Sequence, residues 1–323
     1  MLKQKIPQKK IYFFEVGAQG RALIQKKYPQ AHILAAPFNA RTLPQVKDAE
    51  ILCGFVNSEF SARNLRQLPQ LKLVATRTAG YNHIDLNYTQ KNQIPVVYVP
   101  DYGSHIIAEH TFALILASLR NLLPAMQRTR RLSFNRTGLC GLTLKEQILG
   151  VIGVGKIGSK VCHMAARGFG MKVLAFDLRP QPQLARKSGF IYVRKLDTIW
   201  QQAKIISLHT PLTPKTHHLI NAQTIAKMQP GVSLINTARG ELVDTHALLK
   251  ALRSGKINGA ALDVIEHEKT PKKDQALLQQ KNVIVTPHLA FFTASALNKM
   301  YTQTFASLAA FQKNQPLKFQ IPT

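Results

Sequence analysis

Three residues of this chain have chemically complementary side chains: Arg239, Glu268 and His288. A guanidinium can grip a carboxylate and polarise a neighbouring carbonyl with one planar fork. An imidazole can hand over a proton near neutral pH. A carboxylate beside that imidazole favours its charged form. Together they suit the reduction of a 2-oxo acid, given a hydride donor. Each residue alone has an ordinary reading, as a helix-start arginine, a solvated loop acid or a packed loop histidine. Their position in the chain argues otherwise. Apolar run 233–236 leads into Thr237-Ala238-Arg239-Gly240. Run 259–262 leads into Asp263, Glu266 and Glu268. Run 283–285 leads into Thr286-Pro287-His288. In an open α/β sheet, sites form beyond the carboxyl ends of the strands.

The hydride donor is announced by a glycine cluster. Apolar residues 149–152 stop at Gly153-Val154-Gly155-Lys156-Ile157-Gly158, where a helical pattern begins. Nineteen residues past Gly158, a second apolar run ends on Asp177. Strand, G-x-G-x-x-G turn, helix, strand and acid form the layout of a dinucleotide site. Gly153 permits the turn, Gly155 admits a pyrophosphate to bare backbone, and Gly158 lets the helix pack closely. Asp177 suits the adenosine ribose hydroxyls and would repel a 2′-phosphate, which favours NAD. Arg179, two residues on, is the group that could instead host such a phosphate.

Positioning these groups requires two α/β domains. Residues 11–100 alternate short apolar runs with helical stretches. Strands are expected at 11–16, 32–35, 51–56, 71–76 and 95–99, and a helix at 60–67. Ser104 could cap one long helix from 105 to about 127, and 138–141 form a turn. Strands at 205–209, 233–236, 259–262 and 283–285 alternate with helices at 196–203, 221–228 and 241–254. This rhythm predicts a doubly wound parallel-sheet (Rossmann) NAD domain, residues 102–289. It is inserted into a smaller flavodoxin-like α/β substrate domain, residues 1–101 plus 290–323, to which a helix at 293–312 returns.

The totals exclude several function classes. The chain of 323 residues has 45% hydrophobic content, and the apolar run 112–119 is too short to span a bilayer. The basic start, MLKQKIPQKK, precedes a strand-length apolar run and no small-residue cleavage site, so no leader is expected. Cys53, Cys140 and Cys162 are scattered, as reduced thiols of a cytoplasmic protein would be. The net charge is +27, from 43 Lys and Arg against 16 Asp and Glu. The cations are dispersed, with dense spots at 3–10 and 128–131, and no sequence-reading motif accompanies them. A solvated basic surface is expected, with no membrane and no specific nucleic-acid partner. His217 and His218 are adjacent and lack a third ligand at suitable spacing, so no metal is expected.

From about 50 to 312 the chain resembles the D-isomer-specific 2-hydroxyacid dehydrogenases, most closely their fermentative D-lactate branch. The likeness rests on ATRTAGYNHIDL (75–86), AEHTFALILASLRN (108–121), QRTRRLSF (127–134) and GVIGVGKIGSKV (150–161). It continues through FGMKVLAFD (169–177), ISLHTPLTPKTHHLIN (206–221), INTARGELVD (235–244), GAALDV (259–264) and TPHLAFFTASAL (286–297). Arg239 and Glu268 are 29 residues apart, as the family pattern requires.

The resemblance implies that Arg239 binds the substrate carboxylate and carbonyl oxygen, and that His288, oriented by Glu268, donates the proton. It places Asp263 near the nicotinamide carboxamide, and Gly155, Lys156 and Ile157 at the pyrophosphate. Thr210, Pro211 and Thr216 would line the cofactor cleft, with Thr237 and Ala238 beneath the nicotinamide. Ala79 and Gly80 would offer N–H groups to the substrate carboxylate, and Tyr102 and Phe291 would wall the pocket. Ala238 departs from a common serine, Lys269 from a common proline, and Asp101 from a usual small residue.

The expected activity is NAD-dependent reduction of pyruvate to D-lactate by a homo-oligomer, dimer or tetramer, formed through the nucleotide-binding domain. The alternatives are another 2-oxo acid (hydroxypyruvate, glyoxylate or 2-oxoisocaproate) or an NAD-sensing interaction protein resembling the C-terminal-binding-protein corepressors.

Overall fold

The computed structural model describes residues 10–321, so the basic stretch 3–10 lies, Lys10 apart, outside the described residues. The chain divides into two compact units. One runs to Tyr102 and resumes at Phe292; the other is the continuous segment Gly103–Phe291.

The first unit is built on strands β1 (Ile11–Phe13), β2 (His32–Ile33), β3 (Ile51–Gly54), β4 (Leu73–Thr76) and β5 (Val96–Val97). They form a parallel sheet ordered β2-β1-β3-β4-β5, the flavodoxin-like order. The strands are shorter than the apolar runs. Glu15 adopts φ 54°, which breaks the ladder after β1 although Phe14 and Val16 remain buried. The helix expected at 60–67 is Ala62–Leu65. Ser61 caps it, and Phe60 is held in a bridge with Ile84. The helix Ala294–Gln312, capped by Thr293, adds Met300, Tyr301 and Leu308 to a core that includes Ile11, Phe13 and Ile24. Residues 319–321 pair with the exposed side of β5: Tyr98 N–H donates to the Phe319 carbonyl at 3.0 Å and Ile321 N–H to that of Val96 at 2.9 Å. This covers a sheet edge.

The second unit contains β6 (Ile148–Ile152), β7 (Lys172–Phe176), β8 (Ile191–Tyr192), β9 (Ile205–Leu208), β10 (Val232–Asn236), β11 (Ile257–Leu262) and β12 (Val283–Val285). All pair in parallel in the order β12-β11-β10-β9-β6-β7-β8. Side chains alternate between two cores, one per face. Val151, Ile205, Ile235 and Ala261 enter one, with Phe112 and Ile115 of the helix Ser104–Leu119. Ile152, Ile206, Leu234 and Leu262 enter the other, with Leu248 and Leu252 of the helix Thr245–Arg253. A sheet apolar on both faces needs helices on both faces.

The single helix expected from 105 to 127 is two, Ser104–Leu119 and Leu122–Arg130, bent by 62°. Pro124 explains the break, because a proline ring clashes with the carbonyl four residues back, here Arg120. Asn121 takes up the turn at φ 52°, and its amide donates to the Cys140 carbonyl at 3.1 Å. Leu142 N–H donates to the Leu119 carbonyl at 2.9 Å. Gly103, not Ser104, is the N-cap. The helix expected at 241–254 starts later, at Thr245, because Asp244 caps it through Ala247 N–H at 3.0 Å. Among the described residues no single helix is long and apolar enough to cross a membrane.

Candidate active site

The sheet order reverses beside β6, and the glycine turn follows that strand. Gly153 has φ 92°, and a Cβ there would lie 2.7 Å from the His209 and Thr210 backbone. A Cβ on Gly158 would lie 1.9 Å from the Gly153 carbonyl oxygen. At Gly155 a Cβ would meet nothing within 4 Å, so the backbone there is open to a ligand. Asp177 follows β7. Its Oδ2 accepts Val154 N–H at 2.7 Å and its Oδ1 accepts Arg179 N–H at 2.8 Å. An open backbone at Gly155 beside an acid held to the turn fits a dinucleotide site.

Other residues expected around the cofactor hold the loops themselves. Thr216 Oγ1 donates to the Pro211 carbonyl at 2.7 Å and accepts Thr213 N–H at 2.8 Å, fastening the loop that starts at Thr210. Thr237 is buried and its hydroxyl bonds Thr111 at 3.0 Å. His209 bonds Ser207 at 2.8 Å, and burial pushes its imidazole down to about 3.

The ends of β10, β11 and β12 are stitched together. Asp263 N–H donates to the Asn236 carbonyl at 2.8 Å, and Thr286 N–H to that of Leu262 at 2.9 Å. Asn236 is fully buried and closes the turn before Arg239: Oδ1 accepts Ala238 N–H at 3.0 Å and Nδ2 donates to the Arg239 carbonyl at 2.7 Å. Sequence reasoning missed Asn236; the available signal was a polar residue ending an apolar run. Arg239 is half-buried, and Nη1 donates to the Ala238 carbonyl at 2.6 Å. Gly240 has no room for a side chain, since its Cβ would lie 1.9 Å from the Ile265 carbonyl oxygen. The arginine turn thus packs against the segment leading to Glu268.

His288 Nδ1 lies 3.0 Å from Glu268 Oε2. His288 has φ 52°, a conformation that costs a non-glycine residue free energy and must be held. Asp263 holds it. Its carbonyl accepts His288 N–H at 2.8 Å. Its carboxylate, 1% exposed, accepts the Thr286 hydroxyl at 2.5 Å and the N–H groups of Leu289 and Ala290 at 2.9 Å each. The carboxylate expected beside a carboxamide is therefore engaged with the 286–290 loop.

Glu266 is separated from this group. It pairs with His218 at 2.6 Å and accepts Thr245 N–H at 3.0 Å. Burial raises its carboxyl pKa, but these hydrogen bonds leave it lowered overall.

In the first unit, Ala79 and Gly80 lie in the loop after β4, where Thr78 Oγ1 donates to the Gly80 carbonyl at 2.5 Å. The preceding Arg77, also missed from sequence, is buried. It donates to the carbonyls of Phe14 at 2.5 Å, Glu15 at 3.1 Å and Cys53 at 3.3 Å. Tyr102 ends this unit's first segment, and Phe291, 9% exposed, ends the second unit.

A doubly wound sheet with a glycine turn at its switch point is the architecture of dinucleotide-binding proteins, and a histidine–carboxylate pair at the same sheet edge is a group able to move a proton. Residues 112–290 match the NAD-binding domain of the D-isomer-specific 2-hydroxyacid dehydrogenases. A 2-hydroxyacid dehydrogenase homolog of Zymomonas mobilis is 41% identical over 80% of this chain and 82% of its own. An aromatic 2-oxoacid reductase of Clostridium sporogenes is 39% identical over 77% and 78%. The crystal structure of D-lactate dehydrogenase from Aquifex aeolicus, complexed with NAD and lactic acid, is 35% identical and superposes with a TM-score of 0.88 over 94% and 96%. The chain belongs to the D-isomer-specific 2-hydroxyacid dehydrogenase family and is an NAD-dependent oxidoreductase.

Proposed function

We propose that the protein is a cytoplasmic D-lactate dehydrogenase that reduces pyruvate with NADH. The observation that carries the reading is the His288–Glu268 pair, 3.0 Å apart at Nδ1. With Nδ1 held by a carboxylate, Nε2 is the ring nitrogen left to give a proton to the substrate oxygen. Arg239 grips the substrate carboxylate and polarises the carbonyl. Ala79 and Gly80 offer N–H groups to the same carboxylate, and Tyr102 and Phe291 bound the substrate methyl group. Gly153, Gly155, Lys156, Ile157, Gly158 and Asp177 hold the dinucleotide, with Thr210, Pro211, Thr216, Thr237 and Ala238 shaping its cleft. Asp263 serves through the loop it fastens. When bound, the reduced nicotinamide supplies the hydride to the carbonyl carbon; His288 supplies the proton to the oxygen, which balances the reduction to the 2-hydroxy acid. Arg239 and Glu268 remain unchanged.

The Aquifex likeness supports lactate, and the Clostridium likeness supports a bulkier acid as the second reading. The test is a panel of pyruvate, hydroxypyruvate, glyoxylate, 2-oxoisocaproate and phenylpyruvate with NADH and NADPH. Pyruvate with NADH is expected to give the highest kcat/KM; a preference for phenylpyruvate would replace the first reading with the second.

The same reading includes a homo-oligomer formed through the nucleotide-binding unit. Leu122, Leu123, Met126, Leu132 and Phe134 are exposed. In the same unit, Phe112, Ala113, Leu116, Met164 and Phe169 line a groove of about 660 Å³. Exposed large apolar side chains clustered in one stretch favour association. Light scattering on wild type and Phe134→Glu checks it: a smaller mass for the variant is expected.

A further inference from the structure

The clamp on the His288 loop has a member from a distant part of the chain. His110 lies in the helix Ser104–Leu119. Its Nε2 is 3.3 Å from Thr286 Oγ1 and 3.6 Å from Asp263 Oδ1, and its side chain is 19% exposed. A threonine hydroxyl has one hydrogen to donate. That of Thr286 goes to Asp263 Oδ1 at 2.5 Å, since both carboxylate oxygens already accept backbone N–H groups from Leu289 and Ala290. Thr286 Oγ1 is therefore the acceptor toward His110, and His110 Nε2 must carry a hydrogen. The sense of the chain follows: His110 donates to Thr286, and Thr286 donates to Asp263. Asp263 then holds the Thr286 side chain before the strained His288 and the Leu289 and Ala290 backbone after it.

We infer that His110 is a positioning residue for the reaction. It fixes the Thr286 hydroxyl and so keeps the Asp263 carboxylate turned to the 286–290 loop. A polar network of this kind is worth more than its separate bonds only while every member is satisfied. Without the His110 donor, the Thr286 hydroxyl keeps only its bond to Asp263, the clamp is weaker, and the loop holds His288 less firmly in line with Glu268. Small misplacements of a reacting group are costly in rate. This inference rests on the reading of His288 as proton donor.

The test compares the full-length protein with His110→Phe, His110→Gln, Thr286→Val and His110→Phe/Thr286→Val, and with His288→Gln as control. The measurements are kcat for 2-oxo acid reduction, NADH affinity by fluorescence and amide exchange of Leu289 and Ala290. We expect His110→Phe to lower kcat by up to roughly 100-fold, the scale of misplacing a reacting group by a remote substitution. NADH affinity should change by less than about twofold, well under one hydrogen bond to a charged group, and exchange at Leu289 and Ala290 should quicken. His110→Gln keeps an N–H donor and should recover most of the rate. The double variant should be no worse than the poorer single, because both break one chain. Wild-type rate and exchange in His110→Phe, losses that add in full, or no recovery by Gln would each overturn the inference. If His110→Phe does not fold, His110→Ala is read by the same criteria. Full activity in His288→Gln would instead remove the proton-donor reading, and exchange at Leu289 and Ala290 would still decide whether the clamp exists.

Discussion

Asp177 and Val154 join the acid after β7 to the glycine turn after β6: Asp177 Oδ2 accepts Val154 N–H at 2.7 Å. The turn and its acid are therefore one piece. Asp177→Ala should weaken NADH twice over, by losing the ribose acceptor and by loosening the turn. A loss on the order of tenfold in affinity is expected, as for a hydrogen bond to a charged group. NADPH should lose less, because repulsion of its 2′-phosphate is relieved. Fluorescence titration of both nucleotides checks this; wild type preferring NADPH would point to Arg179 as a phosphate ligand.

Arg239→Lys should lower kcat/KM for pyruvate on the order of 100-fold, the scale of losing one aimed donor at a developing oxyanion. Lysine keeps the charge and loses the planar fork. NADH affinity should stay unchanged. Steady-state kinetics and a nucleotide titration on the same preparation separate the two, and near wild-type kinetics would remove Arg239 from the substrate site.

Glu268→Gln should lower turnover in both directions. Reduction needs His288 to give a proton and oxidation needs it to take one. A glutamine facing Nδ1 can present its N–H2 instead of an oxygen, so the ring is no longer held in one orientation. A loss in kcat of up to about 100-fold is expected, the scale of misplacing a reacting group, with NADH affinity unchanged. Steady-state rates in both directions and a nucleotide titration test this, and wild-type kcat in the variant would mean that Glu268 is not the effective partner.

His209 should make stability fall in acid. Its folded-state pKa is near 3, against an ordinary 6.5, because burial disfavours the imidazolium. A depressed pKa means that stability is complete above 6.5 and is lost as pH falls from 6.5 toward 3. By pH 5.5 the loss is on the order of 1 kcal/mol. His209→Gln should start lower in Tm at pH 7.5 and then decline less steeply toward pH 5. Parallel curves for variant and wild type would assign the acid loss to other groups.

The parts of the site legible in sequence are those specified within a few residues. Gly153, Gly155 and Gly158 mark a turn by themselves, and apolar runs ending at Asp177, Asn236 and Val285 mark strand ends. Parallel topology then carries Arg239, Glu268 and His288 to one sheet edge. What escaped depends on partners far along the chain. Glu266 is engaged by His218, 48 positions away, rather than by His288. Asp263 is turned to a loop 23 to 27 residues on. The helix break at Asn121 is local in cause, through Pro124, yet the amide that steadies it reaches Cys140. Strand lengths were overestimated where a single residue, Glu15, leaves extended geometry while its neighbours stay apolar and buried.

The nucleotide-binding unit is one uninterrupted segment, Gly103–Phe291, whereas the other unit is completed by the helix Ala294–Gln312. A ribosome makes these parts in order. Domains fold as units during synthesis. Once Phe291 has left the exit tunnel, every strand of β6–β12 is available, and the unit that recognises the dinucleotide can close. The sheet of β1–β5 must wait, with Ile11, Phe13 and Ile24 lacking Met300, Tyr301 and Leu308 until the last helix emerges. The core that β1 begins is thus closed only by a helix made after the whole of the nucleotide-binding unit.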